Sequence, residues 1–237
     1  MNSLGSCSNA LVARGAELLS SLPVGGLLKQ SFVDYPGMIS AVLYTIGCNM
    51  RCWYCHNPGL VLPELIQRES REDDAGTAQW LVRNRDLLDA VVLTGGEPTL
   101  HSVVPELCAW LHELGVKVKL DTNGTSPGML ARLLATGSVD AVAMDLKAPL
   151  ELDRYRMVVG EQFPGRMIED IAESIRLLCR ASETISVEFR STLSSTERDN
   201  RDIAAIQSLV PFPLKLQEVR HEVTLEKEQE KIIGRRN

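Results

Sequence analysis

The chain has 237 residues, 44% of them hydrophobic and 24% charged, which suits one sizeable α/β domain with a buried core. A formal net charge of −6 leaves no basic footprint for nucleic acid. No apolar run approaches the ~20 residues that span a bilayer, and Arg14 and Glu17 interrupt the N-terminal apolar segment, so neither a membrane helix nor a signal-peptide core is expected and a cytoplasmic location is.

Residues 1–24 read as an N-terminal extension, in which 10–22 has the spacing of a short helix ended by Pro23. Cys7 lies there alone and reads as an incidental thiol. The main domain, 25–219, opens at Gly25 and Gly26, and its first strand is expected at 39–46, delivering the chain to Gly47. The mixed stretch 58–76 includes a charged run at 68–74 that reads as a solvated connection, and 77–88 has helical spacing. From Asp89 short apolar runs alternate with amphipathic stretches. Strands are expected at 90–94, 116–122, 139–146, 184–193 and 214–219, with helices at 103–114, 127–135, 166–180 and 197–209. Six parallel strands are too few for a closed eight-stranded barrel, so the expected fold is an α/β open (β/α)6 partial TIM-type barrel. Cys108 and Cys179 fall on helices among leucines and read as buried structural thiols. Residues 220–237 read as a charged C-terminal tail or terminal helix.

Chemistry concentrates first in the stretch 47–58, where Cys48, Cys52 and Cys55 form a C-x3-C-x2-C spacing. Closed zinc sites and ordinary iron–sulfur clusters take four protein ligands, so three cysteines on one loop leave a coordination position open. His56 offers an alternative, a three-cysteine, one-histidine zinc site, although neighbouring residues seldom both point at one metal. A disulfide framework is the remaining alternative, and a long chain without a signal peptide argues against it.

Further polar residues fall at expected strand ends, where parallel α/β folds build their ligand sites. Gly95 and Gly96 allow close backbone approach, with Glu97 just beyond; Asp121 and Thr122 offer oxygens before a turn at Asn123-Gly124. Asp145 and Lys147 end another strand, and Arg190 faces inward if alternation holds. Trp53 and Tyr54 precede the third cysteine of the loop. The plainer alternatives are a bare turn, a capping turn, a surface ion pair and core packing respectively.

The cysteine loop, with an aromatic before its third cysteine, resembles the cluster motif of the radical S-adenosylmethionine superfamily. The run from Ser31 through Asp34, Tyr35, Pro36 and Gly37, together with Cys55-His56-Asn57-Pro58, is similar to the activating enzymes of glycyl-radical proteins. Within these the likeness is to activators of anaerobic ribonucleoside-triphosphate reductase in their longer form, then to activators of pyruvate formate-lyase, and it runs from about 25 to 217. The resemblance implies a [4Fe-4S] cluster on Cys48, Cys52 and Cys55, with S-adenosyl-L-methionine chelating the free iron. It implies that Gly95, Gly96 and Glu97 receive the methionine amino group, and that Asp121 and Thr122 hold a monovalent cation against its carboxylate. Asp145, Lys147 and Arg190 would line the same site, with Tyr54 and its neighbour Trp53 near the adenine. A flavodoxin- or ferredoxin-type donor would supply an electron, cleaving the sulfonium to a 5′-deoxyadenosyl radical that takes hydrogen from a glycine Cα of a partner glycyl-radical enzyme. Such enzymes often carry a histidine near the sixth strand; here His221 lies in that region. No cysteine falls between His56 and Thr94, so the ferredoxin-like insertion of some activators is missing. Two other readings stay open: a radical enzyme acting on a small molecule, such as a deazapurine-forming synthase, and a non-catalytic iron–sulfur or zinc module.

Overall fold

The computed structural model describes residues 3–66, 73–193, 197–219 and 223–236. Its framework is a seven-stranded sheet whose spatial order follows the chain: β1 (Val24–Ser31), β2 (Ser40–Thr45), β3 (Ala90–Gly95), β4 (Lys117–Thr122), β5 (Ala141–Asp145), β6 (Ser186–Leu193) and β7 (Lys215–Glu218). From β2 to β7 every neighbour is parallel. Helical segments connect them: α2 (Pro58–Val61) and α3 (Asp74–Asn84) precede β3, α4 (Val104–Glu113) precedes β4, and α5 (Pro127–Ala135) precedes β5. α6 (Leu152–Val159) and α7 (Met167–Ala181) precede β6, and α8 (Glu197–Gln207) precedes β7. This is the open α/β partial barrel that the alternating pattern predicts. The central strands are covered on both faces, so Val91, Val92 and Leu93 are all fully buried and β3 reads as one apolar run.

Three elements differ from expectation. β1 pairs antiparallel with β2, placing Leu27 opposite Leu43 and Leu28 opposite Val42. Gly25, Gly26, Lys29 and Gln30 break its hydrophobic alternation, so tertiary pairing rather than local pattern makes it a strand. α6 was not anticipated, because Asp153, Arg154 and Arg156 mask its spacing; Tyr155 and Val159 nonetheless turn inward and are buried. The N-terminal helix, α1 (Ser3–Ser21), is longer than 10–22 implies and joins the core through Leu19 and the adjoining Leu22. Gly15 lets α1 approach α4: an added Cβ would meet the Trp110 ring at 2.2 Å, and Trp110 Nε1 donates to the Leu11 carbonyl at 3.1 Å. Near the C-terminus α9 (Leu225–Arg236) gives the charged stretch a helical form. Most of the solvated run at 68–74 lies outside the described residues, as does His221; Asp73, at the end of that run, caps α3 by accepting from Ala75 N and Gly76 N.

Candidate active site

The cysteine loop leaves the end of β2 and is fastened on several sides. Gly47 N donates to Leu60 O at 2.8 Å and Glu97 N to Gly47 O at 2.8 Å, so the loop is tied both to α2 and to the end of β3. That second contact is the local reason for the paired glycines. Gly95 has φ +105°, and a Cβ on Gly96 would fall 2.0 Å from Gly47 O, so any side chain there would push the loop away. From the opposite side α6 accepts from the loop: Arg51 N to Val159 O at 2.8 Å and Trp53 N to Val158 O at 3.1 Å. α9 closes a third side, with Leu225 N donating to Cys55 O at 2.8 Å and Glu226 N to Trp53 O at 3.2 Å, while Leu225 packs on Val61 and Leu62.

Cys48, Cys52 and Cys55 line a cavity of about 1090 Å³ at the carboxyl ends of the strands. Tyr54, Gly95, Gly96 and Glu97 line it too, as do Asp121, Thr122, Asp145, Lys147 and Arg190. Trp53 does not; it packs edge-on against Tyr54, ring centroids 5.3 Å apart at 81°. Burial pushes the Cys48 thiol up to about 11, with the Glu97 carboxylate adding to it, and burial pushes Cys52 up to about 12. At neutral pH both thiols therefore keep their protons until a metal displaces them.

A ladder of alternating charge crosses the cavity floor from β4 to β6. Lys119 Nζ meets Asp121 Oδ1 at 2.6 Å, Arg190 Nη1 meets Asp121 Oδ2 at 3.1 Å, Arg190 Nε meets Asp145 Oδ1 at 2.7 Å, and Asp145 Oδ2 meets Lys147 Nζ at 3.0 Å. Burial alone would raise the Asp145 pKa, but Lys147 and Arg190 together hold its carboxyl well below the usual range. Within the ladder three cations face two carboxylates, and Asp34, Glu97 and Glu218 add further carboxylates to the cavity lining beside Lys147 and Arg190. Lys147 Nζ also lies 5.8 Å from the Tyr54 ring centre. Asp121 and Thr122, the residues expected to ligate a monovalent cation, both lie in this network: Asp121 pairs with Lys119 and Arg190, and Thr122 donates to Glu97 Oε1 at 2.8 Å.

Glu97 is buried and anchors the strand ends, accepting from Thr99 N at 3.0 Å, Thr99 Oγ1 at 2.5 Å, Thr122 Oγ1 and, through Oε2, Asn123 N at 2.6 Å. Burial still leaves its pKa raised. Two residues of this network were missed in the sequence. Lys119 could have been found from its two-residue spacing to Asp121, which puts both on one face of β4. Asn123 looked like a turn residue, and nothing local announces its contacts.

The donor set fits an iron–sulfur cluster with a chelating amino acid: three soft sulfur ligands on one loop, glycine backbone beside them, and both carboxylate and cationic side chains across the cavity. Among the described residues no three His, Cys, Asp or Glu side chains are gathered to hold a single metal ion.

The family model for the radical SAM superfamily matches residues 42–199. The chain is 36% identical over 191 residues to "Putative glycyl-radical enzyme activating enzyme MJ1227" of Methanocaldococcus jannaschii, covering 79% of this chain and 75% of that one. It is 32% identical over 139 residues to "Probable GTP 3',8-cyclase" of Pyrococcus horikoshii, covering 56% of this chain and 41% of the cyclase. In fold it is similar to Streptococcus suis SuiB bound to S-adenosylmethionine, at TM-score 0.56 and 15% identity over 83% of this chain and 48% of that one. It is also similar to native anSMEcpe with bound AdoMet, at TM-score 0.55 and 16% identity over 73% and 49%. The chain thus spans less than half of the cyclase and of both solved structures. Cysteine loop, strand-end cavity and matched region coincide, and the chain belongs to the radical S-adenosylmethionine superfamily.

Proposed function

We propose that this protein activates a glycyl-radical enzyme. The observation that carries the reading is the 36% identity with the Methanocaldococcus jannaschii protein of that name, maintained over three quarters of its length. As a member of its superfamily the chain uses a [4Fe-4S] cluster and S-adenosylmethionine, which when bound supply the reductive cleavage that starts hydrogen abstraction. Cys48, Cys52 and Cys55 would hold the cluster. The glycine backbone at 95–96 and Glu97 would take the amino group, Asp121 and Thr122 would hold a monovalent cation against the carboxylate, and Arg190 would pair with a carboxylate or ribose oxygen, with Asp145 and Lys147 lining the site. Tyr54 would cover the adenine, with Lys147 fixing the ring from its face. The substrate atom would be a glycine Cα of the partner, an anaerobic ribonucleoside-triphosphate reductase first and pyruvate formate-lyase second, with a flavodoxin- or ferredoxin-type electron donor.

Reconstituted protein, reductant and S-adenosylmethionine mixed with candidate glycyl-radical enzymes should give a glycyl-radical signal in paramagnetic resonance. Cofactor cleavage without a protein radical from any candidate would overturn the partner assignment. The cyclase relative favours a second reading, chemistry on a small molecule; nucleotide-dependent suppression of abortive cleavage would identify it.

A further inference from the structure

We propose that Asn123 tunes the cluster's reduction potential by donating a side-chain hydrogen bond to the Cys48 sulfur. The inference rests on the reading that Cys48 is a cluster ligand. Asn123 sits in the turn between β4 and α5 and is 6% exposed. Its amide orientation is fixed by its neighbours: Oδ1 accepts from Thr125 N at 3.0 Å and from Thr125 Oγ1 at 2.7 Å, and a backbone N–H can only donate. The opposite end must therefore be the NH2 group, which has two hydrogens to place. One goes to Asn49 Oδ1 at 2.9 Å; the other faces Cys48 Sγ at 4.0 Å, the long end of contacts to sulfur. Asn49 Nδ2 closes the ring on Thr125 Oγ1 at 2.8 Å, and Asn123 N is held by Glu97, so the amide has little freedom to turn away.

Hydrogen bonds to cluster sulfurs are among the levers that set the potential. A donor at a ligating sulfur stabilises the more electron-rich state, so it makes the cluster easier to reduce. Met50 N also donates to Cys48 Sγ, at 3.4 Å, but that contact is built into the loop whatever the residue type. Among the described residues Asn123 is thus a side chain through which sequence can adjust the sulfur from outside the loop.

The test is a redox titration of the reconstituted holoprotein followed by paramagnetic resonance. At the wild-type midpoint, Asn123→Ala should lower the reduced-to-oxidised ratio about tenfold, equivalent to about 59 mV for one electron. Asn123→Asp keeps the shape, removes both donors and adds negative charge, so its shift should be in the same direction and larger. Asn49→Ala breaks the ring but leaves the amide beside Cys48, and should change the ratio less than twofold. Equal shifts in Asn49→Ala and Asn123→Ala, or none in either, would overturn the proposal. So would loss of iron in both Asn123 variants with full loading in Asn49→Ala, which would make Asn123 a structural clamp. A wild-type protein that assembles no cluster would instead refute the reading beneath it.

Discussion

Cys52 and Cys108 carry the same group, and burial pushes both thiols up to about 12, so acidity does not separate a metal ligand from a core residue. Position does: Cys52 opens on the cavity, whereas Cys108 lies within α4 against the sheet. Cys52→Ala should abolish both iron binding and S-adenosylmethionine cleavage, while Cys108→Ala keeps both; iron analysis and product chromatography check this, and equal losses would contradict the assignment. Tyr54 separates a binding role from a packing role. Its hydroxyl lies near Thr192, yet is buried without a partner in hydrogen-bonding geometry, and an unsatisfied buried group is destabilising. Tyr54→Phe should raise apoprotein stability by about 1 kcal/mol, seen as a higher urea midpoint at unchanged slope. A lower midpoint would mean that the hydroxyl has an unrecognised partner.

At the scale of elements, the cysteine loop is held by neighbours that arrive from distant parts of the chain. α6 and α9 both bond to its backbone, and the Val61, Leu62 and Leu225 contact covers the side where Cys48 and Cys55 pack. Removing residues 223–237 should leave the sheet folded and make the loaded cluster bleach several-fold faster in air, followed by absorbance; unchanged bleaching would show that α9 shields nothing. α1 packs on α3 and, at Gly15, against the Trp110 ring of α4. Gly15→Val should cost about 1–3 kcal/mol through overpacking against Trp110, measured by chemical unfolding. These elements also show where sequence is legible. β3, β4 and α5 were readable from their own residues, β3 as an apolar run, β4 by alternation of apolar and polar residues and α5 by helical spacing, and α5 spans 127–135 as expected. β1 and α6 were not, since glycines in one and charges in the other hide faces that only their partners define. In the site, residues at strand ends could be found because position and chemistry coincide there; Asn123 could not, because its meaning lies in a sulfur 75 positions away.

For the molecule as a whole, the charge ladder links three strands and makes stability depend on acid. The Asp145 pKa is depressed on folding, so its contribution is present above about pH 4, the ordinary aspartate range, and is lost as pH falls through the lower folded value. Asp145→Asn cannot titrate, and its apoprotein should lose less stability between about pH 4 and pH 2 than the wild type, measured by urea unfolding at each pH. A parallel decline in both proteins would remove the ladder from the account of acid unfolding. Most of the sheet assembles from strands adjacent in sequence, whereas α9 returns across about 170 positions to the carbonyl of Cys55. A ribosome adding about 5–20 residues each second would leave the newborn metal loop without that cover for roughly ten to thirty seconds. Iron delivery during that interval would meet a binding loop not yet braced from behind by the terminal helix, and delivery after synthesis is complete would enter through the strand-end cavity, which that helix does not line.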